Sequence, residues 1–387
     1  MSAGGIDAKL EQTRVLLGDL IGFATITEQS NMALIDYCAA LLEPLGAKME
    51  YSRSEDGGRA NLFATFGPDG DGGLVLSGHT DVVPVEGQDW STYPFKAVER
   101  NGAIYGRGAC DMKAFLACCL AMAPDFAARK AGAPLHLAFT YDEEIGCMGA
   151  GVLLKALAES GRKPAACIIG EPTSLRVIDC HKGCHEYTTR FTGLEGHSSD
   201  PEKGVNAIEY AVRHAGELYR VAEELKERAP HNSPFSPPWS TLQVGKISGG
   251  IAHNVIAREC DLVWDFRPVN DADTEFALGR IRAHEDGLRR EMQAAFADAD
   301  IHTETAGAIV GLEPATQSQA RDIAIHLCGN SDTGAVSFGT EGGLYQKAGI
   351  STVICGPGSI EQAHKPDEFI TLEQLGACLR MLERLTA

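Results

Sequence analysis

The segment Ser77-Gly78-His79-Thr80-Asp81-Val82-Val83-Pro84 closes an apolar run with an imidazole and a carboxylate two residues apart. In extended backbone that spacing turns both side chains to one face. A metal-binding imidazole commonly donates its other N–H to an oxygen, which fixes its tautomer, and Asp81 is placed to orient His79 in this way. Gly106-Arg107-Gly108-Ala109-Cys110-Asp111 then presents Asp111 at the end of a glycine-rich loop, and Asp142-Glu143-Glu144 follows another apolar run. Adjacent glutamates can divide the work, one binding a cation and the other moving the proton of an attacking water. Glu171, in Gly170-Glu171-Pro172, and His364, in the glycine-rich stretch after Cys355, complete the set. Two imidazoles and three carboxylates are a borderline-hard donor set, suited to zinc or a similar divalent ion.

Each residue also has a plainer reading. Asp81 could start the turn before Val82-Val83-Pro84, Asp111 could cap a helix beginning near Met112, the acidic triplet could be a solvated turn, and Glu171 a polar residue in a proline turn. The ordered set favours chemistry, because its members follow strand-like runs, where α/β folds place their sites. Gly106 and Gly108 lack the third glycine of a dinucleotide fingerprint, and no strand feeds the loop directly. In Cys180-His181-Lys182-Gly183-Cys184-His185, strand alternation would separate the cysteines from the histidines, and no second pair stands at zinc-finger spacing. A strand crossing between domains is the expectation there. Gly196-His197-Ser198-Ser199 reads as a polar loop with a capping serine. Asn254 and Arg267 close two neighbouring strands, and Arg267 could fork onto a carboxylate or form a surface ion pair.

Apolar periodicity predicts helices over 9–22 and 31–45, the second ended by Pro44 and Gly46. Strands are expected at 61–66, 73–77, Leu135–Tyr141 and Cys167–Gly170, with helices at Ala114–Arg129 and Gly149–Glu159. That alternation predicts an α/β domain with a mostly parallel, buried sheet. From His181 the pattern changes to a strand (His181–Phe191), a long amphipathic helix (Gly204–Glu227), a proline-rich loop, strands at 241–247 and 253–266, and a charged helix over 274–296. This β-α-β-β-α block is expected to be an α+β domain inserted into the first. α/β character then resumes, with a strand at Ile350–Cys355 and a closing helix at Leu372–Leu385. The expected domains are 1–180 and 298–387 for the larger body and 181–297 for the insertion.

The chain has 387 residues and a formal net charge of −19, which argues against nucleic acid and anionic membrane surfaces as partners. Its apolar runs are far shorter than the ~20 residues of a membrane-spanning helix. The opening Met-Ser-Ala-Gly-Gly-Ile-Asp shows no secretory signal. Twelve cysteines without a disulfide-framework spacing are expected to be reduced, buried thiols, consistent with a cytoplasmic protein.

With these motifs in this order, the chain resembles the acetylornithine deacetylase / succinyl-diaminopimelate desuccinylase family of dinuclear zinc amidohydrolases over essentially its whole length. Gly356-Pro357-Gly358-Ser359, Gln362-Ala363-His364 and Pro366-Asp367-Glu368 look most like the acetylornithine branch, as does Gly196-His197-Ser198-Ser199-Asp200-Pro201 continuing into Gly204-Val205-Asn206-Ala207. The resemblance implies two divalent ions, zinc or in its place cobalt, with His79 and Glu171 on one, Glu144 and His364 on the other, and Asp111 bridging. It implies Glu143 as general base, Asp81 as orienter of His79, and a cis peptide after Asp111. His197 would stabilise the oxyanion across a homodimer, and Asn254 and Arg267 would hold the carboxylate of a small N-acyl amino acid. The implied reaction is removal of acetate from N2-acetyl-L-ornithine. N-acetylcitrulline, succinyl-diaminopimelate and other N-acyl amino acids are alternative substrates, and a non-catalytic metal-binding scaffold is the alternative outside enzymes. Thr340-Glu341-Gly342-Gly343 offers Glu341 as a wall for a cationic side chain.

Overall fold

A computed structural model of the chain describes residues 3–129, 132–336 and 338–386. Two compact units divide it: Met1–Cys180 with Pro314–Ala335 and Thr340–Ala387, and His181–Glu313 with Val336–Gly339.

Among the described residues, the larger unit is built on an eight-stranded sheet. Its order is β1 (Lys48–Arg53), β2 (Ala60–Phe66), β6 (Leu135–Thr140), β3 (Leu74–His79), β7 (Ala166–Pro172), β14 (Ser351–Gly356), β8 (Val177–His181) and β13 (Thr333–Val336). The central strands β6, β3, β7 and β14 run parallel, and antiparallel pairs extend the sheet at β1–β2–β6 and at β14–β8. These central strands are buried along their length, apart from half-buried Ser351, and accordingly read as apolar runs rather than alternating ones. A small sheet, β15 (Phe369–Thr371), β5 (Ala103–Tyr105) and β4 (Val98–Arg100), lies in the same unit.

Helix α3 (Lys113–Ala127) is apolar on nearly every side and is buried accordingly, packed with α1 (Ala3–Gly22) and α9 (Leu372–Glu383). Its Phe115 ring lies against Gly170 of β7, where an added Cβ would come within 2.0 Å of the ring. The exception among its buried residues is Lys113, whose Nζ donates to the Leu20 and Phe23 carbonyls at 3.0 and 2.8 Å. Those bonds satisfy the ammonium, while burial pulls its pKa down to about 7. Helices α2 (Met32–Leu42), α4 (Met148–Glu159), α7 (Gln319–Cys328) and α8 (Gly342–Lys347) complete this unit.

The smaller unit has the antiparallel order β10 (Thr241–Gly249), β11 (Glu259–Arg267), β9 (Cys184–Thr192) and β12 (Asp300–Ile309), with α5 (Ala207–Glu227) and α6 (Asp271–Ala295) packed on it. Cys260, Leu262, Trp264 and Phe266 alternate into its core from β11.

Three expectations change here. Residues 298–309, read as resumed α/β character, include β12, which pairs with β9 along its length. It is an edge strand whose sole fully buried side chain is Ile301, too little apolar signal to reveal its partner. The strand expected over 253–266 begins at Glu259, and the residues before it form a loop. Likewise Cys180–His185 is no continuous strand: β8 ends at His181 and β9 starts at Cys184.

Candidate metal centre and active site

The parallel strands bring the expected ligands to one end of the sheet. His79 is the last residue of β3 and pairs in register with Thr140 at the end of β6, whose chain continues into Glu143 and Glu144. Glu171 sits near the end of β7, and the chain leaving β14 reaches His364. Asp111 arrives from the loop between β5 and α3, and its peptide bond to Met112 is cis. This is the carboxyl edge of a parallel sheet, where α/β folds gather chemistry.

Asp111 stands at the centre. Its Oδ1 lies 3.1 Å from His79 Nε2, and its Oδ2 lies 3.4 Å from His364 Nε2. Glu171 Oε1 is 3.6 Å from the same His79 nitrogen, and Glu144 Oε2 is 3.1 Å from the same His364 nitrogen. The arrangement thus has two halves sharing one carboxylate. Glu143 is buried beside them, and ligand atoms of His79, Glu143 and Glu171, and of His79, Asp111 and Glu144, lie within 4.8 Å of one another.

Asp81 orients His79 through an atom that residue spacing does not single out. The Nδ1–H bonds the Asp81 backbone carbonyl at 2.9 Å, while the carboxylate stands 3.6 Å away. That donation fixes the ring with Nε2 toward Asp111, the nitrogen that would ligate a cation there once its proton is lost. The Asp81 carboxylate instead accepts from the backbone N–H groups of Glu143 and Glu144 at 3.1 and 3.2 Å, fixing the turn that carries both glutamates. Asp142 turns away, with φ +52, to pair with Arg59.

The electrostatics ask for positive charge. Burial, together with neighbouring carboxylates, lifts Glu143 and Glu171 well above the usual range, and Glu144 is raised for the same reasons. Burial should depress His79, yet hydrogen bonds to Asp111 and Asp81 and the charge of Glu171 raise it well above its ordinary value. His364 is pushed up to about 10 by Asp111 and Glu144. Burial should raise Asp111, but its bonds to His364 and His79 hold it low. A cluster that raises carboxyls and imidazoles together holds excess anionic charge, which bound cations would neutralise. The donors fit divalent metal ions.

The family description Peptidase family M20/M25/M40 matches residues 75–387. The chain is 36% identical over 359 residues to the acetylornithine deacetylase of Pasteurella multocida, covering 92% of this chain and 91% of that one. It is 39% identical over 355 residues to that of Proteus mirabilis, covering 89% and 87%. This chain belongs to the M20/M25/M40 peptidase family. It is a hydrolase of a metal-dependent family. Its fold is shared with aminopeptidase PepT from Bacillus cereus, at TM-score 0.74, 19% identity and 96% coverage of both chains. An M20 family metallo-carboxypeptidase from Sulfolobus solfataricus gives TM-score 0.72 at 18% identity, covering 97% of this chain and 98% of that one.

In this M20 chain the other expected site residues lie in two places. In the smaller unit, residues 196–198 run beside 254–256: Ser198 N–H donates to Asn254 O at 3.2 Å and Ile256 N–H to Gly196 O at 2.8 Å. This pairs His197 with Val255, the residue after Asn254, and the His197 Nδ1 lies 2.8 Å from Ser199 Oγ. Arg267, at the end of β11, is half-buried and pairs with Asp265 at 3.0 Å. Glu341, expected to wall a pocket, is 1% exposed, and its two oxygens accept from Ser77 at 3.1 Å and from Thr140. It bridges β3 to β6 from within the core, so the pocket-wall reading is corrected. Arg107 and Glu368 have no role that their sequence context reveals. Both are 1% exposed and pair at 2.7 Å directly behind Asp111. The available signal was a charged residue inside each of two glycine- and proline-rich motifs.

Proposed function

We propose that this chain removes acetate from N2-acetyl-L-ornithine with two divalent metal ions, zinc or in its place cobalt, releasing L-ornithine for arginine biosynthesis. The observation that carries the substrate is its similarity, at 35–39% identity over about nine-tenths of its length, to proteins named acetylornithine deacetylase. The two-halved arrangement around Asp111 supports the metal count. His79 and Glu171 would hold one ion, His364 and Glu144 the other, and Asp111 both.

When bound, such ions polarise a scissile carbonyl and make water acidic enough to attack near neutral pH. Glu143 takes the proton of the attacking water and passes it to the departing amine. Its lifted affinity for a proton suits that transfer. Asp81 keeps Glu143 and His79 in place through its carboxylate and its carbonyl. In the smaller unit, which we assign as the lid and dimerisation domain, Asn254 and Arg267 receive the substrate's carboxylate. His197, with Nδ1 engaged by Ser199, offers Nε2 to the developing oxyanion, acting across a homodimer. The free thiols among the described residues agree with a cytoplasmic setting.

The test is ornithine release from N2-acetyl-L-ornithine by zinc-loaded and chelator-stripped protein. Release that vanishes on stripping and returns with zinc is expected. A folded, metal-loaded sample that spares this substrate but cleaves another N-acyl amino acid would discard the substrate and keep the chemistry; one that cleaves none would discard both.

A further inference from the structure

Behind Asp111 lies a polar network that no step of the proposed reaction uses. The Glu368 carboxylate takes four donors. Its Oε1 accepts from the backbone N–H of Cys110 at 2.7 Å and of Asp111 at 3.0 Å; its Oε2 accepts from Gly108 N–H at 3.0 Å and from Arg107 at 2.7 Å. The whole turn leading into Asp111 is therefore bonded to one buried carboxylate. Gly108 suits the turn itself: its φ is +82, and an added Cβ would meet Val82 Cγ1 at 2.8 Å.

The network extends to the second loop. Arg107 Nη2 donates to Gln88 Oε1 at 2.6 Å, and Gln88 Nε2 donates to the carbonyl of His364 at 2.9 Å. His364 needs such an anchor. Its side chain is 54% exposed and its φ is +61, so packing alone does not fix the imidazole. Trp90 stacks on the Arg107 guanidinium at 4.9 Å and bonds the same Gln88 oxygen at 3.0 Å, which restricts both polar side chains.

We propose that Glu368, Arg107 and Gln88 form a positioning clamp that sets the Asp111 loop and the His364 loop at the separation two metal ions require. The inference rests on the reading of Asp111 and His364 as metal ligands. A fully buried Arg–Glu pair is a poor source of stability, because desolvating both charges offsets most of their attraction. Here the pair instead converts four directed bonds into the position of one carboxylate and, through Gln88, of one imidazole. Outer partners of this kind typically change metal affinity or activity about 10- to 100-fold when replaced.

The test titrates chelator-stripped, full-length protein with Co2+ by calorimetry, following the cobalt visible spectrum in parallel. Glu368→Gln places an amide N–H₂ where backbone N–H groups point. We expect Co2+ affinity to fall about 10- to 100-fold, with an altered spectrum and kcat lowered more than KM is raised. Gln88→Ala leaves the Glu368–Arg107 pair intact and frees only the His364 loop, so one of the two binding steps should weaken about tenfold and the other stay near wild type. Circular dichroism of the stripped proteins separates misfolding from mispositioning. If Glu368→Gln folds and binds both ions within about threefold of wild type, far short of the loss such partners cause, the clamp is overturned. Should it not fold, Gln88→Ala decides: two unchanged binding steps overturn the clamp. A wild-type protein that takes up fewer than two ions would instead remove the dinuclear reading on which the clamp rests.

Discussion

His79, Asp111, Glu144, Glu171 and His364 are ordinary side chains whose proton affinities become unusual only in company. In the proposed reaction Glu143, buried beside that cluster, does the proton work, so Glu143→Gln should lower kcat by about 10²- to 10⁴-fold. Metal content, measured by elemental analysis, should stay at the wild-type value, and a fully active variant would remove Glu143 from the mechanism. Glu341 marks the contrast between a charge that reacts and a charge that braces. With both oxygens held by Ser77 and Thr140, Glu341→Ala should strip one partner from each hydroxyl, leaving Ser77 Oγ with Tyr345 Oη at 3.0 Å, and cost about 1–3 kcal/mol of stability. Denaturant titration would report that loss while KM for the substrate stays near wild type. A large KM increase at unchanged stability would restore Glu341 to the pocket.

At the level of elements, the site exists because parallel strands end level with one another against the buried helix α3. The contact between Gly170 of β7 and Phe115 of α3 leaves no room for a methyl group. Gly170→Ala must push α3 or β7 aside, an overpacking that typically costs about 1–3 kcal/mol. Because Glu171 is the next residue, the same substitution should also weaken metal binding. Thermal melts and cobalt titration of the variant would check both, and unchanged values would mean that the helix yields without cost. The long helices and central strands were legible because their apolar spacing is strong, whereas the shorter α7 and α8 were not read. The edge strand β12 was not, because pairing on one side needs little apolar content, and the sequence therefore suggested an earlier return to the larger body.

Across the whole molecule, several histidines are carried in the folded chain as neutral groups. Burial lowers the pKa of His136, His181 and His214 to about 4, against an ordinary value near 6.5. Between those values the unfolded chain binds protons that the folded chain refuses, so each contributes fully above about pH 6.5 and its contribution is lost as pH falls toward 4. The loss is on the order of 1–3 kcal/mol per histidine, since each tenfold change in proton affinity is worth about 1.4 kcal/mol. His214 has no exposed surface in the core of the smaller unit; Glu285 Oε1 lies 3.5 Å from its Nε2 and the His284 ring stacks at 6.0 Å, and burial is the largest cause of its shift. Melting temperatures of His214→Leu and wild type, compared at pH 7 and pH 5, should move in favour of the variant at the lower pH. A difference that stays constant would show that His214 is already protonated in the folded state.

The donor inventory, the α/β character of the larger body and, β12 apart, the succession of strands and helices in the smaller one were written in the order of residues. Residue type limits chemistry, and apolar period limits local structure, before any long-range contact is made. Which atoms meet was settled in three dimensions. Asp81 was legible as the partner of His79, but not that its carbonyl would take the imidazole while its carboxylate held Glu143 and Glu144, because that choice depends on how β3 and β6 come level. Glu341 read as the wall of a substrate pocket and is a buried brace, since nothing local reveals that Ser77 and Thr140 will face it. Arg107 and Glu368 lie far apart along the chain, and their role arises only where two glycine-bearing loops fold back on each other. Spacing along a chain fixes what one strand or loop can present; the distance between loops is set by the sheet beneath them.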